Sequence, residues 1–493
     1  MSPLRVAAVD LGATSGRVMA ATVGADVLSV EEAHRFPNAA VPVGGSLYWD
    51  VLGIYREVLA GIRTIARSGP LHGIGIDSWA IDYGLLDRDG VLLGNPYSHR
   101  DARTNGVQAR ADDVVSPRDL YAITGLQQLT FNTIYQLLSE VGSARLERAE
   151  TMLLLPDLLS YWLTGQIGAE RTNASTTGLY DVRTREWAVD LAKRFGLPPG
   201  ILPPLRDPGS VIGELRREVA ADLATEGCGP VIAVGSHDTA SAVVGVPAES
   251  DSFAYISSGT WSLVGLELDA PVLTEAARAA DFTNEGGVDG TIRFLKNVMG
   301  LWVLSECLRT WRERGEVTDL PTLLSAASEV DGLQTVIDIN DAGLLAPGTS
   351  ADPMPERVIA LARGAGEPTP DSPAAIARCV LDSLALAYAR HLRTAAEVAG
   401  QGFEVVHIVG GGAQNALLCQ LTADAVGVPV VAGPTEAAAL GNVLVQAWAL
   451  GVELPDVAAM RSLVRRTHEV RRYEPRPDGR WDAARRRVGQ HSV

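Results

Sequence analysis

Three times along this 493-residue chain a short apolar run feeds directly into a cluster of small residues. Val6 to Val9 leads to Asp10-Leu11-Gly12-Ala13-Thr14-Ser15-Gly16-Arg17. Phe253 to Ile256 leads to Ser257-Ser258-Gly259-Thr260, and Val405 to Val409 leads to Gly410-Gly411-Gly412. Short apolar runs bounded by turn residues read as buried strands. The first two resume strand-like composition after the turn, so each reads as a hairpin around a Gly/Ser/Thr bend. Their shared texture suggests an internal repeat, two halves that each begin with a turn of the size that cradles a phosphate. Further strands at Leu71 to Trp79 and Val231 to Val234 alternate with helical stretches, which makes the chain an α/β protein.

If such turns hold a nucleotide, they do so without lysine. Only Lys193 and Lys296 are lysines, so 40 of the 42 basic residues are arginines. Neither lysine lies in a Gly-Lys-Ser/Thr sequence, which excludes a P-loop. Neither a Val-Ala-x-Lys strand nor a His-Arg-Asp loop is present, which excludes a protein-kinase fold.

The net charge of −17 opposes general binding to a phosphate backbone. Between Arg461 and Arg487, however, 10 arginines face 4 acidic residues. That segment reads either as a nucleic-acid tail or as a terminal helix packed on an acidic body through Leu463, Val464, Trp481 and Val488. Cys228, Cys307, Cys379 and Cys419 are too scattered for a disulfide framework or a Cys-x-x-Cys site, and read as thiols in a reducing compartment. No apolar run approaches the ~18 residues of a membrane span, and Asp10 arrives too early for a signal peptide. A cytoplasmic protein is expected.

Several strand ends carry chemistry. The Asp10 carboxylate can hold a hydrated Mg²⁺ while the glycines beside it admit phosphate oxygens to backbone N–H groups. Ser236-His237-Asp238 invites a triad reading, but consecutive side chains on an extended segment point apart. Asp238 reads instead as a general base at a strand end, or as the N-cap of the helix that begins Thr239-Ala240-Ser241. Asp101 and Arg103 read as an ion pair bracing a loop. Asp77, Trp79 and Asp82 sit at another strand end, where Trp79 is either a ligand residue or core.

Taken together, these residues resemble the FGGY carbohydrate kinases of the actin-like ATPase superfamily, and within them the rhamnulokinase branch. The resemblance runs through VDLGATSGRVM (9–19), GIDSWAIDYGLLD (75–87), HRDARTNG (99–106), TFNTIYQL (130–137), LLPDLLSYWLTG (154–165) and TNASTT (172–177). It continues through SHDTASAV (236–243), ISSGTWSLVG (256–265), TNEGG (283–287), LKNVMGLW (295–302), IVGGGAQN (408–415) and EAAALGNVLVQ (436–446). Asn132-Thr133-Ile134-Tyr135-Gln136 and the Ser-His-Asp-Thr form point to the branch.

The resemblance implies two actin-like (ribonuclease H-like) α/β domains, 1–247 and 248–493, with the active site in the cleft between them. It implies transfer of the ATP γ-phosphoryl group to O1 of L-rhamnulose with Mg²⁺, and no nucleic-acid or membrane partner. Asp238 takes the proton-acceptor position and Asp10 the metal position. Ala80, His237, Asp238, Thr239 and Asn297 match sugar contacts. Ala13, Thr14, Ser15, Gly16, Arg17, Thr260, Ser305 and Gly411 match nucleotide contacts. The chain departs from the pattern at Ala80, where relatives have glycine, and at Ser305, where a relative has glutamine. Thr422 and Val426 stand where some relatives carry a cysteine pair. The alternatives are a kinase for another ketose, such as L-fuculose or D-xylulose, and a non-catalytic sugar sensor on the same scaffold.

Overall fold

The opening run Leu4–Leu11 (β1) is a strand, and the small residues after it let the chain double back at once. Ser15–Val23 (β2) pairs with it antiparallel, Asp10 opposite Arg17 and Leu11 opposite Gly16. The structure, a computed structural model, describes residues 2–198, 200–223, 227–316 and 319–489. Leu28–Pro37 (β3) extends the meander. Helix Val51–Ala66 (α1) is capped by Asp50, whose carboxylate accepts from the Gly53 N–H. Gly73–Ser78 (β4) then runs parallel to β1 and sets Asp77 opposite Asp10. Val211–Gly213 (β5) and Val231–Ile232 (β6) complete a six-stranded sheet in the order β5-β6-β4-β1-β2-β3. β6 delivers the chain to helix Asp238–Val244 (α2).

The chain forms two compact units. The first comprises residues 1–249, 267–294 and 437–468, so helices Ala437–Ala449 (α3) and Val457–Thr467 (α4) return to it from far along the chain. α3 is apolar nearly all round, as a fully enclosed helix must be. Leu440, Val443 and Leu444 are completely buried in one cluster with Val6, Ala8 and Met19 of the sheet. α2 and α3 cross at backbone contact: a Cβ on Gly441 would lie 1.8 Å from the Ser241 carbonyl oxygen, and one on Gly245 2.4 Å from that of Ala437. Only glycine permits an approach this close.

The second unit repeats the logic of the first. Phe253–Ser258 (β7) and Ser262–Leu268 (β8) form an antiparallel hairpin, Val405–Val409 (β9) lies parallel to β7, and Val430–Ala432 (β10) lies parallel to β9. Arg471–Tyr473 (β11) closes the edge antiparallel to β10. The repeat read from the two hairpins is therefore present in the strand pairing: each hairpin leads into parallel neighbours. The 27-residue helix Pro373–Ala399 is bounded by capping residues, with the Ser372 hydroxyl accepting from Ala375 N–H, proline in the first turn, and Gly400 left-handed at the end.

The arginine-rich end is a packed structure. Leu463 and Val464 are fully buried, and Trp481 and Val488 nearly so. Arg461 pairs with Glu267 at 2.6 Å in the first unit; Arg480 pairs with Asp331 at 2.9 Å in the second, where Arg487 donates to the Leu333 carbonyl at 2.7 Å. Cys307, Cys379 and Cys419 are buried free thiols and Cys228 is partly exposed. Among the described residues no helix is long and apolar enough to cross a membrane.

Candidate active site

In the first unit, the row of strand ends gathers carboxylates. The β1–β2 turn is closed by the Gly12 N–H donating to Ser15 O at 2.9 Å and is buttressed by Asn38, whose amide donates to Gly12 O at 2.9 Å. Ala13 and Ser15 are half-buried and Thr14 is exposed at its tip. Gly16 serves packing: a Cβ there would lie 2.2 Å from the Phe36 ring. Arg17 forms a short ion pair with Asp10. Asp77, completely buried beside Asp10, accepts from the Asn442 amide of α3 at 2.6 Å through Oδ2, while its Oδ1 has no partner. Burial first, and the Asp10 charge second, push the Asp77 carboxyl well above the usual aspartate range.

Asp238 does not cap its helix. The cap position belongs to His237, and Asp238 is the first helical residue, with its carboxylate 3.1 Å from the Thr239 hydroxyl. Its pKa is raised, chiefly by burial; the neighbouring His237 opposes the rise and the Asp10 charge adds to it. The side chain remains 31% exposed, open to a ligand. The preceding residue explains why no triad forms: the Ser236 hydroxyl donates to Glu170 at 2.9 Å, and the Ser236 N–H donates to the same oxygen at 3.0 Å. Glu170, buried in turn, accepts from the Thr172 N–H at 2.8 Å. Glu170, itself held by Thr172, therefore clamps the strand end that presents Asp238.

Behind His237 lies a group that the sequence reading did not single out as functional. His237 Nδ1 is 3.1 Å from Arg293 Nη2 and 3.2 Å from Glu285 Oε2, and Arg293 Nη1 is 3.0 Å from the same carboxylate oxygen. Glu285 belongs to the TNEGG segment, which the resemblance flagged without assigning it a role. Burial would raise its carboxyl, but the charges of Arg293 and His237 outweigh that and leave it lowered.

A second cluster adjoins Ala80. Ile81 is held at φ 70°, and Asp82 accepts at one oxygen from the indoles of Trp49 (2.7 Å) and Trp79 (2.9 Å) and from His99 (2.7 Å). Trp79 is thus core and polar anchor at once. Ala80 itself is half-buried, with its carbonyl accepting from Asp82 N–H at 2.9 Å. The expected Asp101–Arg103 pair is marginal at 4.0 Å. Arg103 instead donates to Gln136 O and Ser139 Oγ, each at 2.6 Å, while Asp101 accepts from Leu47 N–H at 2.6 Å.

The second unit carries the remaining expected residues, Thr260, Ser305, Gly411 and Asn297. The Thr260 carbonyl accepts from Trp302 N–H at 3.1 Å, docking the start of helix Trp302–Arg314 on the turn after β7. Ser305 is exposed one turn into that helix. The glycine run after β9 packs on the same turn: a Cβ on Gly412 would meet Ser258 Oγ at 2.0 Å, whereas one on Gly411 would meet nothing within 4 Å. Thr260, Ser305 and Gly411 thus lie around one turn with open space at Gly411. Asn297 is half-buried on the strand Ile292–Val298, whose residues 295–298 belong to this unit.

The comparisons agree with this architecture. Family models described as the N-terminal and C-terminal domains of the FGGY family of carbohydrate kinases match residues 6–245 and 254–450. A rhamnulokinase of Bacteroides thetaiotaomicron is 42% identical over 480 residues, 97% of each chain. One of Pectobacterium carotovorum is 42% identical over 490 residues, 98% of this chain and 96% of its own. Among solved structures, gluconate kinase from Lactobacillus acidophilus superposes with a TM-score of 0.81 at 17% identity, covering 99% of this chain and 97% of its own. Xylulose kinase from Rhodospirillum rubrum does so with 0.79 at 18% identity, covering 99% and 98%. The fold is the two-domain actin-like one, and the chain belongs to the FGGY family of carbohydrate kinases.

Proposed function

We propose that this sugar kinase transfers the γ-phosphoryl group of ATP to O1 of L-rhamnulose, in the cytoplasm, with Asp238 as the general base. The substrate rests on the 42% identity to rhamnulokinases along 97% of both chains. The catalytic assignment rests on one observation: Asp238 is the partly exposed carboxylate at the head of α2, its proton affinity raised by burial and by Asp10. A base of raised pKa accepts the hydroxyl proton more readily as the oxygen attacks phosphorus. The domain division 1–247 and 248–493 belongs to the same reading, the first presenting Ala80, His237, Asp238 and Thr239 to the sugar. Asn297 joins them from the second. Thr260, Ser305 and Gly411 together with the 13–17 turn hold the nucleotide.

A magnesium ion suits the carboxylates present. Asp10 and Asp77 face each other across paired strands, and Asp77 Oδ1 is a buried oxygen without a partner. A magnesium ion keeps several waters and takes one or two carboxylates plus phosphates, so a single strand-end carboxylate is enough to hold it. Asp10 would hold it, and when bound it neutralises charge on the β- and γ-phosphate oxygens. Arg17 keeps the Asp10 carboxylate oriented. Asp238 then takes the proton from the sugar hydroxyl and is itself neutralised, which relieves the cost of its burial.

ADP release assayed with L-rhamnulose, L-fuculose and D-xylulose tests the substrate, and the highest kcat/KM is expected with L-rhamnulose. Asp238→Ala is expected to lower kcat by about 10²–10⁴-fold while ATP still binds. Retained sugar phosphorylation in that variant refutes the base assignment.

A further inference from the structure

Where β4 leaves the sheet, the chain turns sharply at a residue poorly suited to the turn. The Asp82 N–H donates to Ala80 O at 2.9 Å, which closes a γ-turn, and Ile81 at its centre has φ 70°. With φ positive this is the rare, strained form of the γ-turn. A β-branched residue stays in that backbone region only where its surroundings impose it.

Two side chains of one helix do so. Thr133 and Gln136 lie on the first turn of helix Thr133–Glu140, three positions apart and therefore on one face. Both are buried. The Thr133 hydroxyl donates to Ile81 O at 2.7 Å. Gln136 Oε1 accepts from Arg103 Nη2 at 2.8 Å, and because arginine only donates, this fixes which way the amide points. Its Nε2 then faces Phe131 O at 2.9 Å, Asp82 Oδ1 at 3.1 Å and Ile81 O at 3.3 Å. The start of the helix is pinned in turn, with the Ile134 N–H donating to Thr177 O at 2.9 Å. The turn also lies beside the strand end that presents Asp238. Two residues before Ala80, Ser78 bridges His237 in parallel and its N–H donates to Ser236 O at 2.9 Å. The N–H groups of Ala80 and Ile81 have no acceptor among the described residues, and both residues are half-buried.

We infer that Thr133 and Gln136 are positioning residues that hold the strained Ile81 turn, and with it two open backbone donors beside Asp238, in the arrangement the sugar hydroxyls require. The inference deepens the proposed function and rests on its placing of the sugar at Ala80 and Asp238. Neither side chain needs to touch the sugar, since both act on the Ile81 carbonyl. Released from them, Ile81 relaxes toward negative φ and reorients the peptide planes that carry the donors. Donors fixed in space reject a ketose whose hydroxyls lie elsewhere, because the polar groups of the site are then left unpaired. The Asn132–Gln136 run thereby acquires a physical role in choosing the sugar.

Thr133→Val deletes the hydroxyl and Thr133→Ser keeps it; both are checked by circular dichroism and thermal melts. Kinetics are read on whichever ketose the wild type phosphorylates best. Thr133→Val is expected to lower kcat/KM for sugar about 10–100-fold, with KM for ATP within about twofold, and Thr133→Ser to recover to within about threefold of wild type. A valine variant that melts lower but keeps wild-type sugar kcat/KM overturns the inference, as does a serine variant as impaired as the valine one. Gln136→Glu keeps the bond to Arg103 but sets an acceptor against Ile81 O and Asp82. Wild-type sugar kinetics in a folded Gln136→Glu protein overturns the inference too. Hydrogen exchange of the peptide spanning 79–86, followed by mass spectrometry without sugar or nucleotide, reads the turn itself. Faster exchange is expected in Thr133→Val than in wild type or Thr133→Ser, and unchanged exchange overturns the inference. Asp238→Asn at wild-type rate would remove the base assignment and leave the exchange result standing, so the two readings fail separately.

Discussion

Replacing Gly441 with alanine drives a methyl group into the backbone of α2. The added Cβ would stand 1.8 Å from Ser241 O and 2.6 Å from Ser241 C, whereas unstrained contacts between such atoms lie near 3.5 Å. Both are main-chain atoms, so no side-chain rotation relieves the clash and the helices must part by about 1.5 Å. Asp238 is the first residue of α2, three positions from Ser241, and moves with it. A misplacement of about 1 Å at the reacting atoms costs roughly 100-fold in rate, and overpacking of this kind costs about 1–3 kcal/mol of stability. Gly441→Ala is therefore expected to fold, to melt several degrees lower, and to lose about 100-fold in kcat. Coupled ADP-release kinetics and a thermal melt measure both, with Gly402→Ala as control because a Cβ there meets nothing within 4 Å. A lowered melting temperature with wild-type kcat would refute the reasoning, since it would mean that α2 does not carry the position of Asp238.

Two further outcomes follow from buried charges. Asp157 is 5% exposed with Oδ2 unpartnered, and burial and then the Glu170 charge raise its pKa well above the ordinary value. A carboxyl raised by folding contributes full stability below its unfolded pKa and loses it as pH rises toward the folded one, by up to about 1.4 kcal/mol per pH unit. Asp157→Asn cannot ionise, so melts are expected to match wild type near pH 4 and to exceed it increasingly toward neutrality; a constant gap at all pH values contradicts this. Arg461 is nearly buried, 2.6 Å from Glu267, and also donates to Val243 O at 3.1 Å. Arg461→Met removes this cation from Glu267, which still accepts from the Thr291 hydroxyl at 3.1 Å, and deletes the bond to Val243 O, so about 1–3 kcal/mol of stability should be lost in denaturant melts.

Local signals carried much of the fold. The Ser372-Pro373 start and Gly400 stop fix a helix through capping chemistry that lies within a few residues. The two hairpins and their shared texture announce the repeat for the same reason. What stayed hidden depends on distant partners. Asp101 and Arg103 lie two positions apart and invite pairing, yet Arg103 is claimed by Gln136 and Ser139. Asp238 precedes a helix and invites a cap, but the backbone places His237 there instead. Nothing periodic links His237 to Glu285 and Arg293, 48 and 56 positions away. Only their joint burial makes them a group.

The return of α3 to the first unit has a consequence for how the protein is made. Gln446 donates to Ala7 O at 3.0 Å across 439 positions of chain. At about 5–20 residues per second, the ribosome delivers Gln446 roughly 20–90 s after Ala7. During that interval Val6, Ala8 and Met19 have none of their α3 partners to cover them. The N-terminal sheet therefore waits, exposed, until residues 437–449 have been translated. A chain terminated before residue 437 yields an aggregation-prone sheet without its central helix, and protection by a holding chaperone matters most while the second unit is being translated.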